Sequence, residues 1–376
     1  MLEPVEHHFD AVVLGAGPAG LATALALRQR AAVSVLVVDA ARAERDRVGE
    51  TAPPELVAAL DRLGLGSRFR DGGHLPCPGT ASIWGRDRVG YNDLVLDPMG
   101  SAWRLDRPRF DHMLASAAEE RGATLRWRTR FDGLAPGDGR RPHRLRLRSP
   151  AEGTYVVATR WVVDATGPGA RFARAAGARR RVDDRLVAAV RFGPAARATT
   201  TLQTLVEAVP DGWWYGARTP GHRAVVMFFT DRRRLQGLRA RGRAALDAAL
   251  AATSLVRRVA SPAAAGARWA VLPVYSSALD RRGGDGWIAV GDAAASYDPI
   301  AGQGLAKALA DGLAAAAHVL ALFDGHSAAT ALAPAHDEAL AEYRRARAHV
   351  YGLERRFRGA AFWETRRERA ALALRG

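Results

Sequence analysis

The sequence has little of what would let a chain carry out redox chemistry or form cross-links by itself. Cys77 is the single cysteine among 376 residues, so an internal disulfide, a dithiol redox pair and a cysteine-based metal centre are all excluded. No apolar run reaches the roughly 20 residues that span a bilayer, and no basic segment leads into an apolar one at the N-terminus. We therefore expect a cytoplasmic protein with no membrane span and no metal site, whose redox chemistry would come from a cofactor.

Lysine is nearly absent as well. Lys307 is the only one, so almost all of the positive charge behind the formal net charge of +16 is arginine. The arginines are scattered, without the interleaved aromatic residues or the helix-turn-helix and zinc-finger spacings of nucleic-acid readers. We interpret them mainly as solvated surface, with an acidic protein or peptide partner as the alternative, and we expect no nucleic-acid partner.

The apolar pattern at the start of the chain predicts a strand, a glycine-rich turn, a helix and a second strand, over residues 9–14, 15–20, 21–30 and 33–38. Successive strands at 186–192, 200–208, 213–217 and 224–230 predict an antiparallel sheet in the middle of the chain. Other helices and strands are expected at 53–63, 107–121, 145–147, 155–157, 161–163, 232–260, 270–275, 287–290 and 304–323. The tail from residue 336 has the pattern of an arginine-rich amphipathic helix.

The segment Gly15-Ala16-Gly17-Pro18-Ala19-Gly20 is a dinucleotide fingerprint in the right context, directly after a predicted strand and opening a helix. Gly15 permits the tight turn, Gly17 lets the backbone approach a pyrophosphate, and the helix N-terminus offers N–H groups to it. Asp39 ends the next strand, where an acid accepts hydrogen bonds from ribose hydroxyls. The alternative is a glycine turn without a ligand.

Two late segments, residues 287–294 and 298–304, decide between NAD and FAD. Their pattern Gly-Asp-Ala-Ala…Asp-Pro-x-x-Gly-x-Gly closely resembles the FAD oxidoreductases of the aromatic-hydroxylase and flavin-halogenase superfamily. This resemblance implies that Asp292 holds the ribityl and pyrophosphate portion of FAD, and that Gly302 to Gly304 face the isoalloxazine. The cofactor contacts implied by the fingerprint and the resemblance are Gly15, Gly17, Pro18, Ala19, Gly20, Asp39, Glu50, Thr51, Arg107, Asp164, Gly291, Asp292, Pro299, Gly302, Gln303 and Gly304.

The expected fold class is α/β. We predict a Rossmann-like FAD-binding domain of the glutathione-reductase type in residues 1–80, 105–180 and 280–325. An antiparallel-sheet substrate domain would be inserted in residues 81–104 and 181–279, and a C-terminal helical segment would occupy residues 326–376. Arg107, expected to reach the cofactor, has a surface arginine at a helix start as its alternative interpretation.

Within the superfamily, residues 48–54 resemble the Gly-Glu-Ser/Thr segment of the halogenases, which would place Glu50 and Thr51 beside the flavin. Halogenases carry the active halogen on a lysine of the substrate channel, and this chain has no lysine between that segment and the middle domain. Their Trp-x-Trp-x-Ile-Pro pattern survives only as Gly212-Trp213-Trp214-Tyr215-Gly216. A closer resemblance is carried by residues 48–54, 82–85, 103–107, 212–215, 227–231, 353–357 and 362–363. These segments resemble the LodB-like and QhpG-like flavoproteins, which oxidise a tryptophan inside a partner protein during quinone-cofactor maturation.

This resemblance implies a monooxygenase in which reduced FAD and dioxygen form a 4a-hydroperoxide that attacks an electron-rich ring. His74 is the candidate for hydrogen bonding to, or deprotonating, a substrate N–H or O–H, with a structural role as the alternative. Tyr297 and Asp298 are candidates at the reacting edge, with helix capping by Asp298 as the alternative. An aromatic wall for the substrate, or else a buried core, is expected from Trp84, Trp103, Trp213, Trp214 and Tyr215.

The sequence leaves several functions open. A peptide or protein tryptophan is the first substrate hypothesis and a free small aromatic the second. A reductase that saturates isoprenoid chains and a non-enzymatic flavin-binding sensor or assembly factor are further alternatives. The flavin would be reduced by NAD(P)H directly or through a partner flavin reductase, because only one dinucleotide fingerprint is present.

Overall fold

The computed structural model describes residues 6–373 except 31, 43–46, 95–96, 137–142, 243, 261–267 and 326–331. The strands in this part of the chain are β1 (Glu6–Leu14), β2 (Val35–Asp39), β3 (Thr51–Ala52), β4 (Leu75–Cys77), β5 (Gly79–Ile83), β6 (Gly90–Asp93), β7 (Ala102–Arg104), β8 (Thr124–Trp127), β9 (Arg130–Leu134), β10 (His143–Ser149), β11 (Gly153–Asp164), β12 (Arg180–Asp184), β13 (Leu186–Pro194), β14 (Thr204–Val209), β15 (Gly212–Thr219), β16 (Arg223–Asp231), β17 (Ala270–Pro273), β18 (Ser276–Leu279), β19 (Gly283–Gly284), β20 (Trp287–Ala289) and β21 (Ala295–Ser296). The helices are α1 (Pro18–Leu27), α2 (Glu55–Arg62), α3 (Gly66–Arg70), α4 (Arg107–Glu120), α5 (Arg171–Ala175), α6 (Arg232–Ala240), α7 (Ala245–Ala251), α8 (Gly304–Phe323), α9 (Leu332–Leu353) and α10 (Ala361–Ala373).

An eight-stranded sheet forms the nucleotide-binding part, with the order β19-β20-β11-β1-β2-β8 and with β10 and β9 attached beside β11. Strand β1 is parallel to both β2 and β11, and β11 is parallel to β20. The carboxyl ends of these parallel strands therefore meet at one edge, which is where ligands bind in open α/β sheets. The predicted strand-turn-helix-strand start and the α/β fold class are confirmed.

The helix α8 is long and apolar enough to cross a membrane, with a mean hydropathy of 1.5. Its residues Leu309 and Val319 are fully buried in the same core cluster as the side chains of α1. The helix is longer than any apolar run in the sequence because it continues across Lys307 and Asp311, which form an ion pair at 2.5 Å. In this structure α8 is therefore a core helix of the nucleotide fold.

The region 145–163 differs from the three short strands expected there. Strand β10 covers the first, but the other two are parts of the single 12-residue strand β11. Thr159 lies between the second and the third expected strands, where a polar residue could end a strand. Thr159 instead is fully buried, and its hydroxyl donates to the carbonyl oxygens of Asp10 (3.2 Å) and Trp161 (3.0 Å), so its polarity is satisfied inside the strand.

The predicted antiparallel sheet in the middle of the chain is present as a seven-stranded sheet with the order β17-β13-β16-β15-β14-β5-β6. Strand β14 is parallel to β5, a pairing that the sequence pattern did not indicate. Successive side chains on a strand point to opposite faces. We call the face that carries Tyr215, Trp213 and Phe229 the inner face, and the face that carries Trp214 and Phe228 the outer face.

The C-terminal helices α9 and α10 lie against the inner face. Tyr351, Phe362 and Trp363 are at most 1% exposed and pack with Trp213 and Phe229 in one core cluster. Helices α6 and α7 cover the outer face, where Leu235, Leu246 and Leu250 pack with Trp214. The expected helical tail is thus present and belongs to the core of the sheet domain, whereas the predicted domain boundaries stay a prediction.

Candidate active site

The glycine turn after β1 is packed so tightly that side chains are excluded at two positions. Gly15 has φ +113°, and a Cβ there would lie 2.2 Å from the carbonyl oxygen of Ala165. A Cβ on Gly20 would lie 2.0 Å from the carbonyl oxygen of Gly15. At Gly17, by contrast, only an Arg47 nitrogen lies within reach, at 3.6 Å, and no side chain caps the start of α1. The turn therefore presents free backbone N–H groups at the N-terminus of α1, as a pyrophosphate requires.

The two acids at the strand ends have different surroundings. Asp39 accepts hydrogen bonds from the N–H groups of Ala16 (2.9 Å) and Ala41 (2.7 Å), which ties the end of β2 to the glycine turn. Asp164 is fully buried, and its oxygens accept from the N–H groups of Thr166 (3.0 Å) and Ala173 (2.8 Å). Asp164 was expected to contact the cofactor. It shapes the loop that packs on Gly15 instead, because no part of its carboxylate reaches the surface.

The segment that contains Gly291 and Asp292 joins the same place. A Cβ on Gly291 would lie 2.8 Å from the Cβ of Ala19 in α1. Lys307 donates to the carbonyl oxygen of Gly291 (3.1 Å), whose own N–H donates to Asp311 (2.9 Å). Asp292 is exposed to solvent, yet the surrounding protein raises its pKa by desolvation. A carboxylate at the bottom of a crevice has both properties, and it would hold a cofactor there.

The loop from Tyr297 to Gly304 ends in the N-terminus of α8. Asp298 is 1% exposed, accepts from the N–H of Ile300 (3.0 Å) and from the Tyr351 hydroxyl (3.0 Å), and pairs with Arg347 at 3.3 Å. Helix capping, the alternative interpretation of Asp298, is therefore what the structure shows. The Tyr297 ring stacks on Tyr343 at a centroid distance of 3.8 Å.

Beyond this anchor the loop is open. Gly302 and Gly304 are exposed, with no other atom within 4 Å of a Cβ built on either. Gln303, between them, forms no side-chain cap at the start of α8. The loop therefore offers backbone amides to a flat ring, next to the positive end of a long helix.

Arg107 and Glu50 frame the crevice on another side. Arg107 is 6% exposed, pairs with Asp111 at 3.1 Å, and donates to the carbonyl oxygen of Val48, so it is not a surface arginine. Glu50 is 3% exposed, and one oxygen, Oε2, accepts from the N–H of Gly49 at 3.1 Å. Its other oxygen, Oε1, is buried without a hydrogen-bond partner in the described residues, and burial raises the Glu50 pKa.

These observations fit FAD. The uncapped N-terminus of α1 would hold the pyrophosphate, Asp39 the ribose, Asp292 the ribityl chain, and the open loop at Gly302 the isoalloxazine. An unpartnered buried oxygen such as Oε1 of Glu50 is rare in a folded protein and marks a place where a further group binds. The chain thus brings residues from four separate segments to one crevice.

A polar cluster that the sequence did not reveal lies between β3 and the inner face of the sheet. Arg104 is fully buried and donates to the hydroxyls of Thr51, Tyr215 (3.0 Å) and Thr204 (2.9 Å), and to the sulfur of Cys77 (3.2 Å). Thr51 and Tyr215 are also joined at 2.7 Å. In the part of the chain that the structure describes, no carboxylate lies within hydrogen-bond distance of Arg104, although its charge acts on the nearby Glu50 and lowers the pKa of that residue against the effect of burial. The presence of Arg104 in a short strand between buried apolar residues was the only signal available in the sequence.

His74 lies on the other side of β7 from this cluster. Its ring packs against Phe69 at 4.8 Å, its Nδ1 accepts from the N–H of Asp106 at 3.2 Å, and burial lowers its pKa. Trp103 contacts the same Phe69 at 5.1 Å. Neighbouring residues of a strand alternate in direction, so Trp103 and His74 face the core of the nucleotide domain while Arg104 faces the sheet. His74 therefore has the surroundings of its structural alternative.

The expected aromatic wall is divided between two faces. Trp214 stacks on Phe228 in the outer-face core, at 4.7 Å. Trp213 stacks on Phe229 on the inner face, at 3.9 Å, and Trp84 packs edge-on against Trp363 of the tail, at 5.1 Å. Both sets are core. Of the five aromatic candidates, Tyr215 is the one whose side chain reaches Thr51, at 2.7 Å. Trp103 is paired with Ala52 through the backbone of β7, but its ring packs against Phe69.

Comparisons with known proteins show the family of this chain. Residues 8–349 match the FAD binding domain family. A putative FAD-dependent oxidoreductase, LodB of Marinomonas mediterranea, is 28% identical over 97% of this chain and 98% of its own length. The structure of QhpG, a peptidyl tryptophan dihydroxylase essential for tryptophylquinone cofactor biogenesis, is 26% identical, with a TM-score of 0.73 over 97% of this chain and 78% of QhpG.

The myxobacterial chondrochloren halogenase CndH has the same fold, with a TM-score of 0.81 over 98% of this chain and 89% of CndH at 23% identity. The fold is therefore shared by oxygenases and halogenases, and the site residues must distinguish between them. With its glycine turn, its Gly291-Asp292 segment and its Gly302 loop around one crevice, this chain belongs to the FAD binding domain family and is an FAD-dependent oxidoreductase of the monooxygenase and halogenase superfamily.

Proposed function

We propose that this enzyme hydroxylates an aromatic group, and that the group is the indole of a tryptophan in a peptide or protein. The full-length similarity to LodB and the similarity to QhpG, whose name states peptidyl tryptophan dihydroxylation, support this substrate. We place the reaction in a reducing cytoplasm, which suits a chain with a single cysteine.

The observation that carries hydroxylation over halogenation is the position of Lys307, the only lysine of the chain. Its ammonium group donates to the carbonyl oxygen of Gly291 and to Asp311, on the nucleotide side of the crevice. No lysine is left to carry an active halogen toward a substrate at the inner face. A flavin enzyme without such a carrier transfers oxygen directly to the ring.

The surroundings of Tyr215 suit a planar apolar ring. The half-buried side chains that pack against the inner-face core include Val48, Phe192, Val206, Leu272 and Ile300. Such a surface binds an aromatic group and excludes water from the reacting atoms. Bound and reduced FAD would supply the activated oxygen, while the chain orients the ring and keeps the site dry.

We further propose that NAD(P)H provides the electrons, either directly or through a separate flavin reductase. The peptide partner would be acidic around its tryptophan, because a chain of net charge +16 attracts acidic segments. Nucleic acid is not proposed as a partner. A free small aromatic remains the second substrate, since the apolar surface around Tyr215 accepts any planar ring.

The test uses FAD-loaded enzyme, NADPH with and without a flavin reductase, isotopically labelled dioxygen and bromide. Substrates are a tryptophan-containing acidic peptide, the same peptide with phenylalanine in place of tryptophan, and free tryptophan. We expect labelled oxygen in the tryptophan peptide alone, by mass spectrometry. Oxygen in free tryptophan but not in the peptide would favour the second substrate. Bromination, or NADPH consumption that never yields an oxygenated product, would contradict hydroxylation.

A further inference from the structure

The two hydroxyls held by Arg104 are not fully used by the protein. Each hydroxyl has one hydrogen and two lone pairs. Arg104 has no lone pair to offer, so it fills one lone pair on Thr51 and one on Tyr215. The bond between Thr51 and Tyr215 uses one hydrogen and one further lone pair. One hydrogen and one lone pair are left, and they are on different oxygens.

The direction of the Thr51–Tyr215 hydrogen bond decides which oxygen keeps the unused hydrogen and which keeps the unused lone pair. A phenol is a stronger acid than an aliphatic hydroxyl, so the Tyr215 O–H donates to Thr51. Thr51 then keeps a free hydrogen and Tyr215 keeps a free lone pair. In the described part of the chain neither oxygen has any other hydrogen-bond partner.

The spare hydrogen and the spare lone pair are on side chains that keep accessible surface. Both Thr51 and Tyr215 are half-buried, so they retain accessible surface, whereas Arg104 behind them is fully buried. Glu50, the residue before Thr51, has the buried oxygen without a partner. Burial raises the pKa of Tyr215 to about 12, which keeps its hydrogen in place at neutral pH.

We propose that Tyr215 accepts a hydrogen bond from the ring N–H or O–H of the aromatic substrate, while Thr51 donates its hydroxyl hydrogen to an acceptor of the same substrate. Arg104 is the positioning residue, because it donates a hydrogen bond to each oxygen. These two bonds fix the positions of the oxygens and leave one hydrogen and one lone pair for the substrate. The inference rests on the proposed function and goes beyond it by naming the two hydroxyls that recognise the substrate, through the N–H or O–H of its ring and an acceptor group. Tyr215 and Thr51 would thus form the hydrogen bonds to the substrate that the sequence had suggested for His74.

The experiment measures equilibrium binding of small probes to the FAD-loaded protein, through the change in the flavin absorption spectrum. The probes are N-acetyltryptophanamide with its indole N-methyl derivative, and para-cresol with its methyl ether. The variants are Tyr215→Phe, Thr51→Val, Thr51→Ser and Arg104→Met. Tyr275→Phe is the matched control, because Tyr275 is half-buried, packs against the outer-face core, and makes no hydrogen bond through its hydroxyl in the described residues.

We expect Tyr215→Phe to weaken binding of the N–H or O–H probe by about tenfold and to leave the methylated partner unchanged, the usual effect of one lost hydrogen bond. Thr51→Val weakens both members of the tryptophan pair, and Thr51→Ser restores binding. Arg104→Met lowers the ratio of affinities between the two members, which a general loss of stability does not alter. The pair that responds shows whether N–H or O–H is recognised.

Two negative outcomes are distinguishable. If the unaltered enzyme binds none of the probes, this inference is overturned, whereas the proposed function is judged separately by oxygen transfer to the tryptophan peptide. If the unaltered enzyme binds them and Tyr215→Phe affects a probe and its methylated partner equally, aromatic binding stands but the assignment of Tyr215 is overturned. An effect of Tyr275→Phe as large as that of Tyr215→Phe overturns it too.

Discussion

Two buried arginines of this enzyme have opposite surroundings. Arg366, 2% exposed, contacts the carboxylates of Asp184 and Asp231, each at 3.0 Å, and fastens the C-terminal helix to the sheet. Arg104, fully buried, donates to hydroxyls, a thiol and a carbonyl and forms no ion pair with a carboxylate among the described residues. A buried arginine that is paired with carboxylates links two parts of the fold. A buried arginine that donates to hydroxyls instead holds those hydroxyls in a fixed orientation. We therefore expect Arg366 to contribute mainly to stability and Arg104 mainly to the substrate site.

The largest effect on the free energy of unfolding is expected from removing the ion pairs of Asp184. Its carboxylate pairs with Arg347 at 2.6 Å and with Arg366 and Arg369 at 3.0 Å, and it is 4% exposed. Asp184→Asn removes the carboxylate that the three arginines share, and it leaves Arg347 with Asp298 and Arg366 with Asp231. Because a broken buried pair costs up to about 3–5 kcal/mol, we expect a loss of up to this size in the free energy of unfolding. Urea unfolding of the FAD-loaded protein measures it.

The control for Asp184 is its neighbour in sequence. Asp183→Asn removes a partly exposed pair with Arg344, at 3.0 Å, and should cost about 0–1 kcal/mol. Equal losses from the two variants would show that the tail is not held by the buried network.

A smaller effect is expected at the other arginine. Arg104→Met strands no carboxylate and removes the cost of burying a charge, but it leaves the Thr204 hydroxyl and the Leu202 carbonyl without their donor. We expect a loss of about 1–2 kcal/mol in the free energy of unfolding. Arg366→Met, measured in the same way, should cost more, since it removes a buried cation that contacts the carboxylates of both Asp184 and Asp231. A larger loss in the free energy of unfolding for Arg104→Met than for Arg366→Met would contradict the distinction between the two arginines.

The nucleotide part of the fold was predictable because its signals are local. The Gly15 turn, the α1 helix and Asp39 follow one another within one unit, and the turn needs glycine for reasons visible in any such sequence. The site's inner side was not predictable in this way. Arg104 meets Tyr215 only after strands far apart in sequence have paired, and no periodicity announces that contact.

Some errors were avoidable. Trp213 and Trp214 are adjacent in a predicted strand, so they had to face opposite sides, and one wall could not contain both. The position of His74 was not avoidable in the same sense, because it depends on Phe69 and Asp106 closing around it. The structural role of Asp298 could not be predicted locally either, because its partners Tyr351 and Arg347 lie on α9, far along the chain.

Glu50, the buried residue before Thr51, predicts a pH dependence of stability. Burial raises the pKa of Glu50 above its usual value of 4.5, so the folded protein holds this proton more tightly than the unfolded chain does. The contribution of Glu50 to stability is then fully present below pH 4.5 and is lost as the pH rises through the raised pKa. Glu50→Gln should remove this decline in urea unfolding at saturating FAD. Parallel pH profiles of the two proteins would show that Glu50 has an ordinary pKa.

The smallest effect is expected from arginines at the surface, which extend the comparison to a third environment. Arg68 pairs with both oxygens of Glu120, at 2.9 and 2.8 Å, geometry as good as that of Arg366, but the two side chains are 43% and 60% exposed. Water screens such a pair, so Glu120→Gln should change the free energy of unfolding by about 0.5 kcal/mol or less, and by nothing measurable in about 1 M salt. Urea titrations at two salt concentrations measure both values. A loss above about 1 kcal/mol that persists in high salt would mean that contact geometry, and not burial, separates Arg366 from the other arginines.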